Sequence, residues 1–589
     1  MVNYPKITDV NIIDKVDREF KKYRFKPEHV RKPQRELCTP PSDFKLQLPQ
    51  RFVRDFMNPT TKYTGLLVYH QIGSGKSCTA IQVTKPYVGK RHIYIVLPAF
   101  LENNIRDELY GPCGGYGEEF DDQAVANKQI DRDYTVLSYH KFVAKLESKK
   151  IRLDRSLIVI DEVQNIVSET GKFYSVIRTA VEKAKDVRVL LLSATPIFDQ
   201  PHELAKTLNL IPRKQYLPEG PEFDKEFLRP LGDKGVGSSG GNGALIDEYT
   251  IMNRSRLGDL MRGYISYYKG MPAKTFPTAT IKHVFCHMET FQYKSYQAVV
   301  TREQKLIKKH SELFKMPTNF FIGSRMISNI AYPNRKASSV GYADFVQHSL
   351  QRKDLKRYSI KFYKLLGKLR KLTATKGNAF VYSNFVEFGG LYPLRACLLA
   401  NGWYDFVATV KAGEPVRRTR KYFAMWTSNE NNDTKQLVRT SFNDASHPVR
   451  LILGSPSLRE GVSLLRVRQV HILEPYWNMS RLEQVMGRAI RFCSHASLPR
   501  AEQTVDVFIY LAVRPKELNI SRDAKERGSS SPLDIYSVDR YIMELAHLKS
   551  RVIREFTDVM KSTAIDCKLN LAINNEGKSK KDKIVCDSM

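Results

Sequence analysis

The chain has 589 residues, of which 42% are hydrophobic, 26% charged and 11% aromatic, so it can build several compact units without structural metals or disulfides. Its formal net charge is +32, from 94 Lys and Arg against 62 Asp and Glu, spread along the chain, which favours a polyanionic partner. No apolar stretch approaches the roughly 20 residues needed to span a bilayer, and the first residues carry no signal-peptide pattern, so a membrane is not expected as partner. The 8 cysteines, Cys38, Cys78, Cys113, Cys286, Cys397, Cys493, Cys567 and Cys586, lack the paired spacing of zinc or redox motifs. They read as buried free thiols in a reducing compartment.

Residues 1–45 are polar and rich in Lys, Arg and Pro, and read as an extended or lightly structured leader. Strand-like runs follow at 65–69, 92–97, 134–137, 157–160 and 187–192, with helix-compatible segments between several of them. That alternation predicts a mainly parallel sheet covered on both faces, over 46–212. The run Gly235-Val236-Gly237-Ser238-Ser239-Gly240-Gly241-Asn242-Gly243 reads as a surface loop. It opens a basic, aromatic-rich, largely helical stretch over 213–372. There Leu355, Tyr358, Phe362, Leu365, Leu369 and Leu372 recur at spacings of three and four, which predicts one helical face. Arg352, Lys353, Lys356, Arg357, Lys361, Lys364, Lys368, Arg370 and Lys371 occupy much of the rest, either as a solvated surface or as phosphate contacts. Strand-like runs at 379–382, 422–426, 450–453, 469–473 and 505–510 predict a second α/β lobe over 373–515. Residues 516–589 read as helical segments ending in a basic tail, 577–583, expected to be disordered when unbound.

Chemistry concentrates after the first strand, at His70-Gln71-Ile72-Gly73-Ser74-Gly75-Lys76-Ser77. Glycines let successive amides face phosphate oxygens. Lys76 brings a point charge to the β- and γ-phosphates, and the Ser77 hydroxyl can hold Mg²⁺. Gly73, Ser74 and Gly75 would form the cradle, although His70 stands where the strict pattern has its first glycine. A second apolar strand, Leu157-Ile158-Val159-Ile160, ends at Asp161-Glu162-Val163-Gln164. Asp161 is suited to Mg²⁺ and Glu162 to the attacking water. Ser193-Ala194-Thr195-Pro196, at a later strand end, could relay nucleotide state to the acidic pair through hydrogen bonds.

Taken in order, these segments resemble the superfamily 2 helicase-like ATPases of nucleocytoplasmic large DNA viruses, the group of the poxvirus-type nucleoside triphosphatase I and the early-transcription-factor ATPase subunit. The resemblance also takes in Val96-Leu97-Pro98-Ala99, Leu137-Ser138-Tyr139-His140-Lys141-Phe142, Gly454-Ser455, Arg459-Glu460-Gly461-Val462 and the stretch 484–491. It covers about 46–515 in motif order, with Tyr264-Ile265-Ser266-Tyr267-Tyr268-Lys269-Gly270 and Ala564-Ile565-Asp566-Cys567 similar to further elements of that group. It implies an α/β fold of two RecA-like P-loop lobes, with a basic, largely helical insertion and a helical C-terminal extension. Gln484, Arg488 and Arg491 would come from the second lobe, a guanidinium fork being suited to phosphoryl charge. Gln50 would meet the nucleotide base, and Arg459, Glu460 and Gly461 would couple nucleic acid to the cleft. Val163 and Gln164 replace residues of the best-known helicase box. The implied cofactors are ATP and Mg²⁺, and the implied partners are nucleic acid, above all DNA, and a viral RNA polymerase or transcription factor subunit. The implied location is the virion and host cytoplasm. The expected activity is ATP hydrolysis by a translocase in viral transcription. An ATP-gated transcription scaffold and a duplex-unwinding helicase remain open alternatives at this point.

Overall fold

The computed structural model describes residues 4–39, 44–168, 172–231, 248–306, 321–336, 338–348, 351–372, 377–459, 462–515 and 536–587. The glycine-rich run at 235–243 lies outside the described residues. The chain forms two compact units. The first takes its residues from 1–231, 249–275 and 551–589, and the second from 276–550 together with 232–248.

In the first unit, β1 (Gly65–His70), β2 (His92–Leu97), β3 (Thr135–Ser138), β4 (Ser156–Ile160), β5 (Arg188–Ser193) and β8 (Ile265–Tyr268) form one sheet in the order β3-β2-β4-β5-β1-β8. All its pairings are parallel. β1, β4 and β5 are buried at every residue, as strands covered on both faces must be. A short antiparallel pair, β6 (Leu228–Pro230) and β7 (Tyr249–Ile251), stands apart from that sheet. Because the strands are parallel, the segments leaving β1, β2, β4 and β5 emerge at the same sheet edge. The chain crosses from β1 over β5 and β4 to reach β2, the kind of switch in strand order beside which α/β proteins bind ligands.

Both chain ends differ from the expectation of loose segments. In the leader, the helix Ile12–Glu19 buries Ile12, Ile13 and Val16, and the Phe20 ring meets Phe52 edge-on at 5.2 Å. Four apolar residues at helical spacing, placed against the helix Leu48–Phe56, overcome the polar average of the segment. The tail is held by covalent and polar contacts: Cys567 is bonded to Cys586, the Asp587 amide donates to the Ser562 carbonyl, and Asn575 bonds both polar groups of Ile584. Cys78 is likewise bonded to Cys113, which corrects the reading of free thiols; among the described residues Cys286 and Cys397 are free and buried. Partners 35 and 19 residues apart carry no local signature, and only the fold brings each pair of Cα atoms to 5.8 Å.

The same tail supports the first sheet. Asp566 accepts hydrogen bonds from Ser266 Oγ (2.6 Å), the Tyr267 amide (2.9 Å) and Asn570 Nδ2 (2.8 Å), while Ser266 Oγ also meets His70 Nε2 at 2.9 Å. His70, at the position where a glycine was expected, is therefore the buried last residue of β1, joined through Ser266 to the C-terminal segment. Tyr267 and Tyr268 are buried beside it and pack rather than present faces to solvent. Burial, then the charge of Lys76, pushes the His70 ring down to about 3. Burial also raises Asp566 to about 6 against the pull of its hydrogen bonds.

The second unit holds β9 (Thr278–His287), β10 (Asn378–Tyr382), β11 (Trp403–Asp405), β12 (Lys421–Trp426), β13 (Val449–Gly454), β14 (Val467–Ile472) and β15 (Thr504–Val513). Their order is β11-β12-β13-β10-β14-β15-β9, again wholly parallel, around a core that includes Phe380, Tyr422, Ile452, Val470 and Val507. β9 is a mostly exposed edge strand of ten residues, in a stretch read as largely helical; it pairs with β15 and carries a Lys282–Asp506 ion pair across that register. Of the stretch read as a helical insertion, 213–372, residues 249–275 belong to the first unit, and the described helices that follow β9 are Thr290–Leu306, Ile322–Asn329, Ser339–His348, Arg352–Tyr358 and Ile360–Leu372. The helical face expected over 355–372 is broken at Ser359, whose backbone is extended, yet Leu355, Phe362, Leu365, Leu369 and Leu372 are all buried. Lys361 departs from the surface reading. It is fully buried, 2.6 Å from the equally buried Asp539, and donates to Asn329 Oδ1 and the Leu473 carbonyl. The two architectures together establish an α/β protein of two RecA-like lobes.

Lys361→Met should cost about 3–5 kcal/mol, because it strands the Asp539 carboxylate without its cation. Chemical denaturation checks this, and a loss under about 1 kcal/mol contradicts the pairing. A second expectation concerns pH. His70, with its folded pKa depressed, contributes stability that is present above about 6.5 and lost as pH falls toward 3. Asp566, with its folded pKa raised, contributes in the opposite sense, through a proton kept between 3.8 and about 6. Asp566→Asn removes the opposing part, so protection of β1 and β8 amides should fall more steeply from pH 6 to 4, by about 1 kcal/mol per pH unit. Hydrogen exchange of those strands measures it; equal slopes in variant and parent refute the assignment.

Candidate active site

The turn after β1 is built by two left-handed glycines, Gly73 (φ 80) and Gly75 (φ 78), with Ser74 buried between them. Such backbone suits glycine, and it points successive amides inward at the start of the helix Lys76–Thr84. Gln50 closes the turn from outside. Its Nε2 donates to the Gly75 carbonyl at 3.2 Å, its Oε1 accepts from the Gln47 amide at 2.8 Å, and a Cβ on residue 75 would lie 2.7 Å from Nε2. Gln50 thus contacts the phosphate turn directly. Beside it a cavity of about 480 Å³ is lined by Gln47, Gln50, Gly75, Cys78, Glu108 and Cys113. This cavity offers room for the base of a nucleotide whose phosphates lie on the turn.

Two strands away, β4 delivers Asp161 and Glu162. Glu162 adopts a left-handed backbone (φ 50), and its amide donates to Asp161 Oδ1 at 2.9 Å. The Asp161 carboxyl is pushed up to about 7, by burial first and by neighbouring Glu162 second, against the pull of Lys76. Lys76 therefore acts electrostatically on both His70 and Asp161, which brings the two sequence motifs into one site. A carboxylate so short of positive charge fits a divalent cation, which would supply it. The described residues hold no cluster of three or more His, Cys, Asp or Glu for a metal. Magnesium's habit of binding through one protein oxygen or two plus substrate phosphates agrees with the small donor set of Ser77 and Asp161.

β5 lies between β4 and β1 and ends at Ser193. The Thr195 amide donates to Ser193 Oγ (3.0 Å), Ser193 Oγ donates to Gln164 Oε1 (2.6 Å), and Gln164 Nε2 donates to Glu162 Oε2 (2.6 Å). Ser193 and the Thr195 amide are thereby joined to Glu162 through Gln164, a residue that sequence reasoning passed over. Gln164 looked like a loss from the helicase box, yet an amide is the side chain that can accept from a serine and donate to a carboxylate at once. Tyr139 was also missed as an individual. Its hydroxyl donates to the carbonyls of both Asp161 and Glu162. Its place inside the quoted 137–142 segment was the available signal.

The remaining predicted residues belong to the second unit. Gln484 lies on the helix Met479–Met486, which ends before the arginines; Arg488 sits on the turn that follows and Arg491 just beyond it. Arg488 Nη1 donates to the Val462 carbonyl at 3.4 Å, and Arg491 donates to the Gly487 carbonyl at 3.1 Å and to Ser463 Oγ. Burial, then the charge of Arg488, pushes Arg491 down to about 9. The Arg459 side chain, Glu460 and Gly461 lie outside the described residues.

The SNF2-related domain family matches residues 101–336. A protein of Acanthamoeba polyphaga mimivirus, named as an ATP-dependent RNA helicase, is 36% identical over 592 aligned residues, covering 96% of this chain and 96% of the relative. A protein of Invertebrate iridescent virus 3 named as a helicase is 26% identical over 91% of this chain and 54% of its own length. A termination factor NPH-I homolog of African swine fever virus (isolate Pig/Kenya/KEN-50/1950) is 24% identical over 86% and 76%. Among solved structures, the Sulfolobus solfataricus SWI2/SNF2 ATPase core in complex with dsDNA aligns with TM-score 0.29 and 14% identity, over 86% of this chain and 95% of that one. The Pyrococcus furiosus Hef helicase domain aligns with TM-score 0.40 and 12% identity, over 82% and 97%. Given the identity and near-complete coverage of the mimivirus protein, this chain belongs to the superfamily 2 helicase-like ATPases of large DNA viruses.

Proposed function

We propose that the protein is a nucleic-acid-dependent ATPase that moves along DNA during viral transcription. The observation that carries this reading is the hydrogen-bonded line Thr195–Ser193–Gln164–Glu162, because it gives the carboxylate at the hydrolytic site a mechanical connection to another strand end. In this reading Gly73, Ser74, Gly75 and Lys76 cradle the triphosphate of ATP, and Gln50 borders its base. Ser77 and Asp161 would hold Mg²⁺, which would supply charge neutralisation for the triphosphate. Glu162 orients the attacking water and takes its proton. Gln484, Arg488 and Arg491 complete the site when the lobes close on ATP, where the guanidinium groups offset charge developing on the transferred phosphoryl group. Arg459, Glu460 and Gly461 pass the state of the nucleic acid to the cleft, and alternation of open and closed forms moves the protein along one strand.

The net charge of +32 supports a phosphate-rich track. The name of the African swine fever virus relative, a termination factor homolog, supports termination or transcript release as the stage. A viral RNA polymerase or transcription factor subunit is the partner we propose for that stage. The relatives are proteins of large DNA viruses, which supports a viral protein; packaging in the virion and activity in the host cytoplasm are part of this proposal. No helix among the described residues is long and apolar enough to cross a membrane.

Lys76→Ala should lower ATP turnover by about 10²–10³-fold with circular dichroism unchanged, as expected for loss of one preorganised charge. Glu162→Gln should keep ATP affinity and lose about 10²–10⁴-fold in turnover. Arg491→Ala should keep most nucleotide binding and lose polymer-stimulated rate by about 10³-fold or more. Gln164→Leu should spare nucleotide binding but abolish stimulation by polymer. Steady-state hydrolysis without polymer, then with single-stranded DNA, duplex DNA or RNA, decides among these, and streptavidin displacement reads movement itself. Full stimulation of Arg491→Ala by DNA would remove the second lobe from the mechanism. Normal stimulation of Gln164→Leu would remove the relay.

A further inference from the structure

The helix Ile322–Asn329 of the insertion carries a guanidinium in an unusual setting. Arg325 is 3% exposed, and its Nε and Nη2 are buried without a hydrogen-bond partner. Among the described residues no carboxylate forms an ion pair with it. What surrounds it is aromatic: its guanidinium carbon lies 5.3 Å from the Phe385 ring, 5.6 Å from Tyr476 and 5.3 Å from Trp477. Cation–π attraction offsets part of the desolvation of an arginine but leaves its N–H groups unsatisfied. Two further groups share the deficit. Ser328, one helical turn from Arg325, has a buried hydroxyl without a partner, and Asn384, adjacent to Phe385, has a buried and equally unpartnered Nδ2.

Each of these groups can donate a hydrogen bond. The guanidinium edge and the amide nitrogen are donors only, and a hydroxyl can donate as readily as accept. The elements that carry them meet: Asn329, at the end of the same helix, donates to the Gly389 carbonyl at 2.8 Å and to Glu474 at 3.0 Å. Asn384 and Phe385 follow β10, and Tyr476 and Trp477 follow β14, so the cluster sits at the C-terminal edge of the second sheet. Glu474 accepts from the Asn384 backbone amide but from none of these unpartnered side-chain atoms, and a set of such donors that includes a full positive charge is complementary to an oxyanion.

We propose that Arg325, Ser328 and Asn384 form a seat for one phosphate group, supplied by the backbone of a bound nucleic-acid strand. The proposal rests on the nucleic-acid reading above for the source of the phosphate, though not for the seat itself. Phosphate is favoured over a protein carboxylate because three donor groups from two segments match a tetrahedral oxyanion with several acceptors, whereas a carboxylate offers two oxygens in one plane. The aromatic walls hold the guanidinium in place, so little side-chain freedom is lost on binding.

A seat and a purely structural arginine respond oppositely to Arg325→Met. Removing a buried charge that lacks a counter-ion should leave the melting temperature of the ligand-free full-length protein unchanged or raise it by a few degrees. The same variant should bind a fluorescent oligo(dT) at least about tenfold more weakly, with the slope of log affinity against log salt reduced by about 0.7, the share of one phosphate on a single strand. Ser328→Ala should weaken binding less, and Arg325→Lys should recover part of it. Inorganic phosphate distinguishes the two phosphate sources. Stabilisation of the parent but not of Arg325→Met by millimolar phosphate supports the seat even if oligo(dT) fails to bind the parent, an outcome that would instead defeat the nucleic-acid reading. The seat is refuted if Arg325→Met destabilises the protein while oligo(dT) and phosphate responses stay normal. It is refuted equally if all three measurements are unchanged, which would leave water as the occupant. Competition by poly-glutamate at the same potency as oligo(dT), lost in the variant, would assign the seat to an acidic protein instead.

Discussion

A backbone that turns left-handed at residues 73 and 75, directly after a strand with no exposed residue, is the constraint on which the first unit depends. The turn can present amides to phosphate only if both glycines keep that conformation and if the helix beginning at Lys76 stays in register with β1. Each requirement is met from a different part of the chain. Gln50 presses on the Gly75 carbonyl from an earlier helix, β5 and β8 fix β1 on its two sides, and Asp566 anchors Ser266 beside His70. The charge of Lys76 then reaches Asp161, so the electrostatics of the acidic pair follow from the geometry of the turn.

Much of this was legible in the sequence because it rests on local rules. Ten strand segments were visible as β-branched or aliphatic runs, and their ends in the structure differ by a few residues. The phosphate turn and the acidic pair were readable because their chemistry needs particular residue types in a short span. What escaped has a common cause, namely dependence on partners distant in sequence. β9 has a largely polar, exposed strand face and is a strand because β15 lies beside it. β8 is only four residues long, and its environment is set by Asp566, some three hundred residues later. The Cys78–Cys113 and Cys567–Cys586 disulfides and a packed leader were hidden for the same reason. Gln164 could be seen as a departure from a familiar box, but its use as a two-sided amide required knowing where Ser193 ends.

The basic composition illustrates the same division between average and position. A net charge of +32 correctly describes the chain as a whole, yet individual cations serve different ends. Lys361 is locked against Asp539 in the interior, Lys368 lies 4.0 Å from the centre of the Phe508 ring, and Arg188 donates to three carbonyls, those of Asn58, Pro59 and Thr61. Among the described residues Arg325 is buried among aromatic rings, with its Nε and Nη2 lacking a hydrogen-bond partner. Counting charges would not have distinguished these residues, because what separates them is whether an acceptor was folded in with the cation.

The first unit is assembled from three stretches of chain, the last beginning at Arg551, and that order has a consequence for synthesis. As the protein leaves the ribosome, β1 and its phosphate turn emerge early, but Asp566 and the cysteine at 567 follow only after the whole second unit has been made. For most of translation Ser266 and the Tyr267 amide lack their carboxylate, and β1 is flanked by a strand that is not yet anchored. The second unit takes no residue beyond Ser550, so it has no such wait and can fold as it appears. The nascent nucleotide site therefore matures late, so an incompletely translated chain carries the signature motifs of an ATPase without the support that holds them in shape.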